Sequence, residues 1–234
     1  MDQPGINVII PVTKIDLRIK QLVLELKEKY LDQIRICIVL NPSKDVSGEE
    51  RIFFEKNRVS LLFSAKGLGN ALRTAYKQNG NNHLVYLPDD NPFEFQEIDL
   101  ALCMDWKSFD LLVLTKYSSE CELNFRHIQG LIFQKLIKMV FRLPVSDTQC
   151  SFIASSKCVS KLSKSTKECR FLITLENILV AFNSEMTIIE VPANWGSKKY
   201  FRKSTIRFWD KLQLLVDFLI LVRKYFRKRR ESEL

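Results

Sequence analysis

Short apolar runs alternate with amphipathic segments along the first half of the chain. Ile6–Val12 is an apolar, β-branched run, and 15–31 follows with Leu17, Leu22, Leu24, Leu26 and Tyr30 set among charges, which predicts a strand and then a helix. Ile34–Leu40, 60–64 and 83–87 read as further strands, Leu68–Gln78 and 100–106 as helices, and 109–114 as a fifth strand. Runs that are apolar at nearly every position belong to strands buried on both faces. Their alternation with helices predicts an α/β fold, a mostly parallel central sheet covered by helices on both faces.

The second half has a different texture. Phe125–Phe141 carries a helical apolar period, 149–153 reads as a short strand, 172–182 as a helix, and 186–191 as a strand that Pro192 ends. A long helix over about 205–230 closes the chain. Its positions Phe208, Leu212, Leu215, Leu219, Val222 and Phe226 are spaced alternately by four and three, which predicts one apolar face. There is no internal repeat and no Gly/Ser/Pro-rich linker, so the chain reads as one domain over 1–204 with a basic amphipathic C-terminal helix over 205–234.

Composition sharpens this picture in one respect. With 46% hydrophobic and 27% charged residues the chain is ordinary globular material, which excludes a disordered or fibrous polymer. The net charge of +9 is unevenly spread: 196–234 holds 12 basic and 4 acidic residues, so the body is near neutral and the tail basic. Such a tail seeks phosphate. No aromatic-basic recognition module accompanies it, so nucleic acid is not an expected partner. Six cysteines without a CxxC pair, and only two histidines, argue against structural zinc and for a reducing compartment. No basic leader opens the chain, and the apolar stretch 214–222 contains Asp217 and falls far short of the roughly 20 residues that span a bilayer. The expected location is cytoplasmic, with a peripheral place at the membrane face.

Open parallel sheets bind ligands beyond the carboxyl ends of their strands, so the loops there hold the candidate chemistry. After the first strand come Thr13 and Lys14, after the second Asn41, after the third 65–71, after the fourth Pro88, Asp89, Asp90 and Asn91, and after the fifth Thr115 and Lys116. Lys66-Gly67-Leu68-Gly69 opens a helix with two glycines, where backbone N–H groups can approach a phosphate or sugar and the helix dipole points at it. A plain helix start has the same appearance. Asp89-Asp90 sets two carboxylates side by side, which repel unless a divalent cation, a hydroxyl-rich ligand or a basic residue compensates. The alternative is a solvated turn, since all four residues from Pro88 to Asn91 favour turns.

In order along the chain stand Ile9-Ile10-Pro11-Val12, Lys66-Gly67-Leu68-Gly69-Asn70-Ala71-Leu72, Asp89-Asp90, Asp147-Thr148-Gln149-Cys150-Ser151-Phe152, Glu176, Glu190-Val191-Pro192-Ala193-Asn194-Trp195 and Tyr200-Phe201-Arg202-Lys203-Ser204. This succession resembles family 2 glycosyltransferases of the GT-A fold, in particular the branch that makes dolichyl- and polyprenyl-phosphate sugars. The resemblance implies a nucleotide-sugar donor held by Pro11, Val12, Thr13, Asn41, Lys66, Gly67 and Gly69. It implies phosphate contacts from Lys116, Arg126, Gln149, Arg202 and Lys203, and catalytic roles for Asp89, Asp90 and Glu176, with Asp90 holding a divalent Mg or Mn. The implied reaction is inverting transfer of a hexose to a lipid (polyprenyl) phosphate or related acceptor, at a membrane surface reached through the C-terminal helix.

The departures from that pattern are specific. The family's Y-N-E reads Thr13-Lys14-Ile15, its V-D-D-G-S-T-D reads Val39-Leu40-Asn41-Pro42-Ser43-Lys44-Asp45, the first aspartate of D-x-D is Pro88, and the aspartate of F-D-x-E-L is Thr174. Several donor-site carboxylates are therefore missing. The alternative expectation is a catalytically degenerate relative that keeps the fold as a binding or scaffold protein.

Overall fold

The computed structural model describes residues 5–42, 45–117, 125–148, 151–194 and 208–232. The chain runs β1 (Ile6–Val12), α1 (Leu17–Tyr30), β2 (Ile34–Leu40), α2 (Gly48–Lys56), β3 (Ser60–Phe63), α3 (Leu68–Gln78), β4 (His83–Tyr86) and α4 (Gln96–Cys103). It continues through β5 (Leu111–Tyr117), α5 (Phe125–Phe141), β6 (Phe152–Ala154), α6 (Ser156–Ser165), α7 (Ile173–Phe182), β7 (Ile188–Asn194) and α8 (Phe208–Ser232). The strands form one sheet in the order β3-β2-β1-β4-β6-β5-β7. All pairings are parallel except those of β6, which runs antiparallel to both β4 and β5.

Successive strand residues face opposite sides, and both sides are apolar. Ile9, Val39, Leu84 and Val113 pack with Leu72 of α3, Leu162 of α6, Ile178 of α7 and Phe218 of α8. Their neighbours Val8, Ile38, Val85 and Leu112 pack with Leu22 of α1, Phe54 of α2 and Ile98 of α4. The result is three layers, and the predicted mostly parallel, doubly covered sheet is what folds.

The differences from the sequence reading have local causes. Helices α2 and α6 were not expected, because each is short and announced mainly by its cap: Ser47 and Glu50 close a capping box, and Ser155 accepts from the Cys158 amide. Helix α4 starts at Gln96 rather than at 100, since its buried residues Ile98 and Ala101 are interleaved with acids. Strand β7 runs through Pro192 to Asn194 instead of stopping; it is one of the two edge strands, where among the described residues one side has no ladder to lose.

Helix α8 docks by another face than predicted. Phe218 and Leu221 are buried and Leu214, Val222 and Tyr225 pack beside them, with Phe218 and Tyr225 edge-on to Phe141 of α5. Leu215, Leu219 and Phe226 of the expected seam are exposed instead, while Phe208 and Leu212 lie outside the described side chains. No helix among the described residues is long and apolar enough to cross a membrane.

Candidate functional site

Strand order reverses at β1, with β2 and β3 on one side and β4 on the other, and such a reversal is where open α/β sheets take ligands. Ile9 O accepts from the Leu87 amide at 3.0 Å and Val12 O from the Asn41 amide at 2.8 Å. The backbone groups of Ile9 and Pro11 therefore face β4, and those of Ile10 and Val12 face β2. Strand β4 ends at Tyr86, opposite Ile9. Pro11, which has no amide proton to donate, thus faces a gap in the ladder between the end of β1 and the loop after β4.

A chain of charges runs from the loop after β1 through the start of α1 to the loop after β4. Arg18 of α1 donates to Asp89 Oδ2 at 3.2 Å and lies 3.8 Å from Asp16, which in turn lies 3.6 Å from Lys14. Of the compensations open to the Asp89-Asp90 pair, the protein supplies a basic residue of its own. Burial and the Asp89 charge raise the Asp90 carboxyl above its ordinary range, with Arg18 pulling the other way.

The turn beyond is strained. Asn91, Glu94 and Phe95 all have positive φ, at 41°, 51° and 69°, and Asn91 Oδ1 accepts from the Phe95 amide at 3.0 Å. Three left-handed non-glycine residues within five positions represent stored strain of the kind that gathers at functional sites. The turn delivers Glu97 into the core with 0% exposure. Among the described residues neither Glu97 oxygen, nor the Ser151 hydroxyl beside it, makes a hydrogen bond of good geometry. Burial pushes this carboxyl up to about 7, reinforced by Asp99 and Asp90 and opposed by its own backbone and Ser151.

The glycine-rich helix start is closed by the chain itself. The Asn41 side chain donates to Gly67 O at 2.6 Å and accepts from the Gly67 amide at 2.8 Å. The amides of Gly69 and Asn70 donate to the carbonyls of Arg170 and Cys169. Lys66 is exposed, and its carbonyl accepts from the Asn70 side chain at 2.8 Å. Glu176 holds the covering loop: its buried carboxylate accepts from the amides of Lys167 and Glu168, both at 2.7 Å, and from Lys224 Nζ of α8 at 2.5 Å.

The sequence matches no family model and no curated protein. Solved structures do match. Glucosyl-3-phosphoglycerate synthase from Mycobacterium tuberculosis superposes with a TM-score of 0.61 at 13% identity over 88% of this chain and 75% of that one; its complex with phosphoglyceric acid gives 0.60 at 14% identity over 89% and 75%. The 4-diphosphocytidyl-2C-methyl-D-erythritol synthase from Anaerococcus prevotii DSM 20548 gives 0.53 at 12% identity over 96% of each chain. The fold is GT-A-like.

Within this GT-A-like fold the motif glutamates act on backbone. Glu190 accepts from the amides of Ser146 and Asp147, at 2.7 and 3.3 Å, and from the Ser146 hydroxyl. Thr174, standing where the resembling family has an aspartate, donates to Thr148 O at 2.6 Å. Together they hold the segment that leads into β6 and Ser151. Thr13 is exposed at the end of β1. Lys116 pairs with Ala193 in the sheet and Arg126 stands in the first turn of α5, but their side chains, together with Gln149, Trp195, Arg202 and Lys203, lie outside the described residues. Two residues of the site escaped the sequence reading, Arg18 and Glu97. Glu97 had a signal, an acid one position before the buried pair Ile98 and Ala101, but the helix was expected to start after it.

Proposed function

We propose that this chain is a nucleotide-sugar-dependent glycosyltransferase whose acceptor is a phosphate monoester, a polyprenyl phosphate at a membrane surface. The observation that carries the reading is the strand reversal at β1, where β4 stops short of the end of β1 and the loop after β4 carries Asp90, within a GT-A-like sheet. In this reading the donor's nucleoside lies along Pro11, Val12, Thr13 and the Asn41–Gly67 clamp, and Asp90 accepts hydrogen bonds from donor hydroxyls. A phosphate monoester has its second pKa at about 6 and is largely ionised near neutral pH, so no protein base has to activate it. An acceptor phosphate oxygen bonds to the anomeric carbon while the bond from that carbon to the diphosphate oxygen breaks, and the nucleoside diphosphate leaves with the electron pair. Lys116, Arg126, Gln149, Arg202 and Lys203 are assigned to the leaving diphosphate, whose charge needs positive compensation.

The described residues do not make a divalent-metal set: Asp89 is held by Arg18, and no three His, Cys, Asp or Glu gather among the described residues. Turnover with UDP- and GDP-sugars and a short polyprenyl phosphate, with and without Mn²⁺ or Mg²⁺, tests the reading. Asp90→Ala is expected to lower transfer at least 100-fold; undiminished transfer removes Asp90 from the mechanism. The second reading, a non-catalytic binding relative, is favoured by the internally satisfied amides of Gly67 and Gly69, and it predicts donor binding without turnover.

The membrane part rests on α8, which keeps an apolar stripe facing outward after docking: Leu215 and Val216 are 48% exposed, Leu219 and Ile220 59%. Exposed Arg223 and Arg227 continue it, the pairing of apolar and basic surface that suits anionic lipid. The double change Leu219→Glu and Ile220→Glu is expected to cut co-flotation with phosphatidylserine vesicles at least tenfold while leaving the thermal midpoint in place. Equal flotation would place the lipid contact elsewhere.

A further inference from the structure

Glu97 is a group that the proposed transfer does not use. It is fully enclosed, and a carboxylate taken out of water without partners is far costlier than the neutral acid. The ionisable groups that face it are Asp90 from the loop after β4, Asp99 on its own helix and Tyr30 on α1, and only its own backbone and the Ser151 hydroxyl favour its charged form. The nearby cations are committed to other acids, Arg18 to Asp89 at 3.2 Å and Lys29 to Asp99 at 2.9 Å. A charge on Glu97 would therefore add to that of Asp89 against Asp90, with Arg18 pulling the other way, across a turn whose backbone is already held at three positive-φ residues.

We propose that Glu97 is a positioning residue for the Asp89-Asp90 turn: as a neutral acid it lets the turn seat over α4, and on losing its proton it repels Asp90 and loosens the turn. Since the Glu97 carboxyl sits at about 7, this places the change near neutrality. The inference rests on the transferase reading only for its consequence, that donor affinity falls as Glu97 ionises.

The test follows backbone amide shifts of Asp89, Asp90 and Asn91 in the ¹⁵N-labelled full chain from pH 5.5 to 8.5. Wild type should show a shared transition near 7. Glu97→Gln, which keeps a neutral side chain of the same shape, should abolish it, and Asp90→Asn, which removes a like charge, should move it to lower pH. A transition that persists in Glu97→Gln, or none in wild type, overturns the proposal; if Glu97→Gln does not fold, an unmoved midpoint in Asp90→Asn overturns it. With UDP-glucose and GDP-mannose as probes, affinity should fall at least threefold from pH 6 to 8 in wild type and stay flat in Glu97→Gln. Absence of binding by either probe counts against the transferase reading and leaves the ligand-free titration to stand or fall by itself.

Discussion

Replacing Gly67 with alanine is expected to lower the thermal midpoint by roughly 10 °C, while Gly48→Ala leaves it unchanged or slightly higher. A Cβ on Gly67 would stand 2.1 Å from the Cys169 carbonyl oxygen, a backbone atom that cannot swing aside as a side chain can. The backbone there has φ 118° and ψ 136°, a region in which any side chain costs about 1–3 kcal/mol before the clash is counted. Relieving the clash means lifting the covering loop, which breaks the bonds from Gly69 to Arg170 O and from Asn70 to Cys169 O, each worth about 1 kcal/mol net. The sum, about 4 kcal/mol, is a large part of the stability of an ordinary domain. Gly48 has nothing within 4 Å of the same atom and lies in the first turn of α2, so alanine there gains helix propensity without a clash. Circular dichroism melts of both variants check this. Equal midpoints for the two would mean that the loop yields at little cost and that the helix start can open to a ligand.

The sheet was legible because its central strands are buried on both faces. Nothing but a strand explains runs such as Ile34–Leu40, and the loop positions after them place Asp89 and Asp90 at the rim without further information. What compensates those acids was not legible. Arg18 is 71 positions away from Asp89 in sequence, and a contact of that kind exists only once α1 has packed on its face of the sheet. Periodicity was also ambiguous in α8, where two apolar stripes share one helix. The spacing predicts apolar faces but not which of them meets the body, and Phe218 and Tyr225 won over Leu219 and Phe226 because the aromatic ring of Phe141 is there to receive them. Glu97 was hidden by a boundary error of a few residues. An acid that seems to lie in a loop arouses no question, whereas the same acid inside an apolar helix face demands a partner.

Glu176→Ala is expected to destabilise the chain by about 4 kcal/mol, and Lys224→Met by about 1–2 kcal/mol. Glu176 is 3% exposed and its oxygens serve three donors. Truncating it leaves the Lys167 and Glu168 amides without their acceptor and removes the anchor of α8 in the same stroke. Lys224 is different, because its side chain is 42% exposed: removing it still leaves the Glu176 carboxylate two backbone donors, and the lost ion pair is partly screened by water. The double variant should cost less than the two singles added, because each removes part of the same contact. Urea denaturation measures these differences, and hydrogen exchange shows where they act. In Glu176→Ala the amides of Gly69 and Asn70, bonded to the loop that Glu176 holds, should exchange faster by a larger factor than the amides of Ile9 or Ile38 in the central strands. Equal acceleration everywhere would mean that Glu176 supports only global stability. Selective acceleration at Gly69 and Asn70 would mean that the Glu176 carboxylate, which also receives Lys224 of the C-terminal helix, governs the closure of the glycine-rich rim.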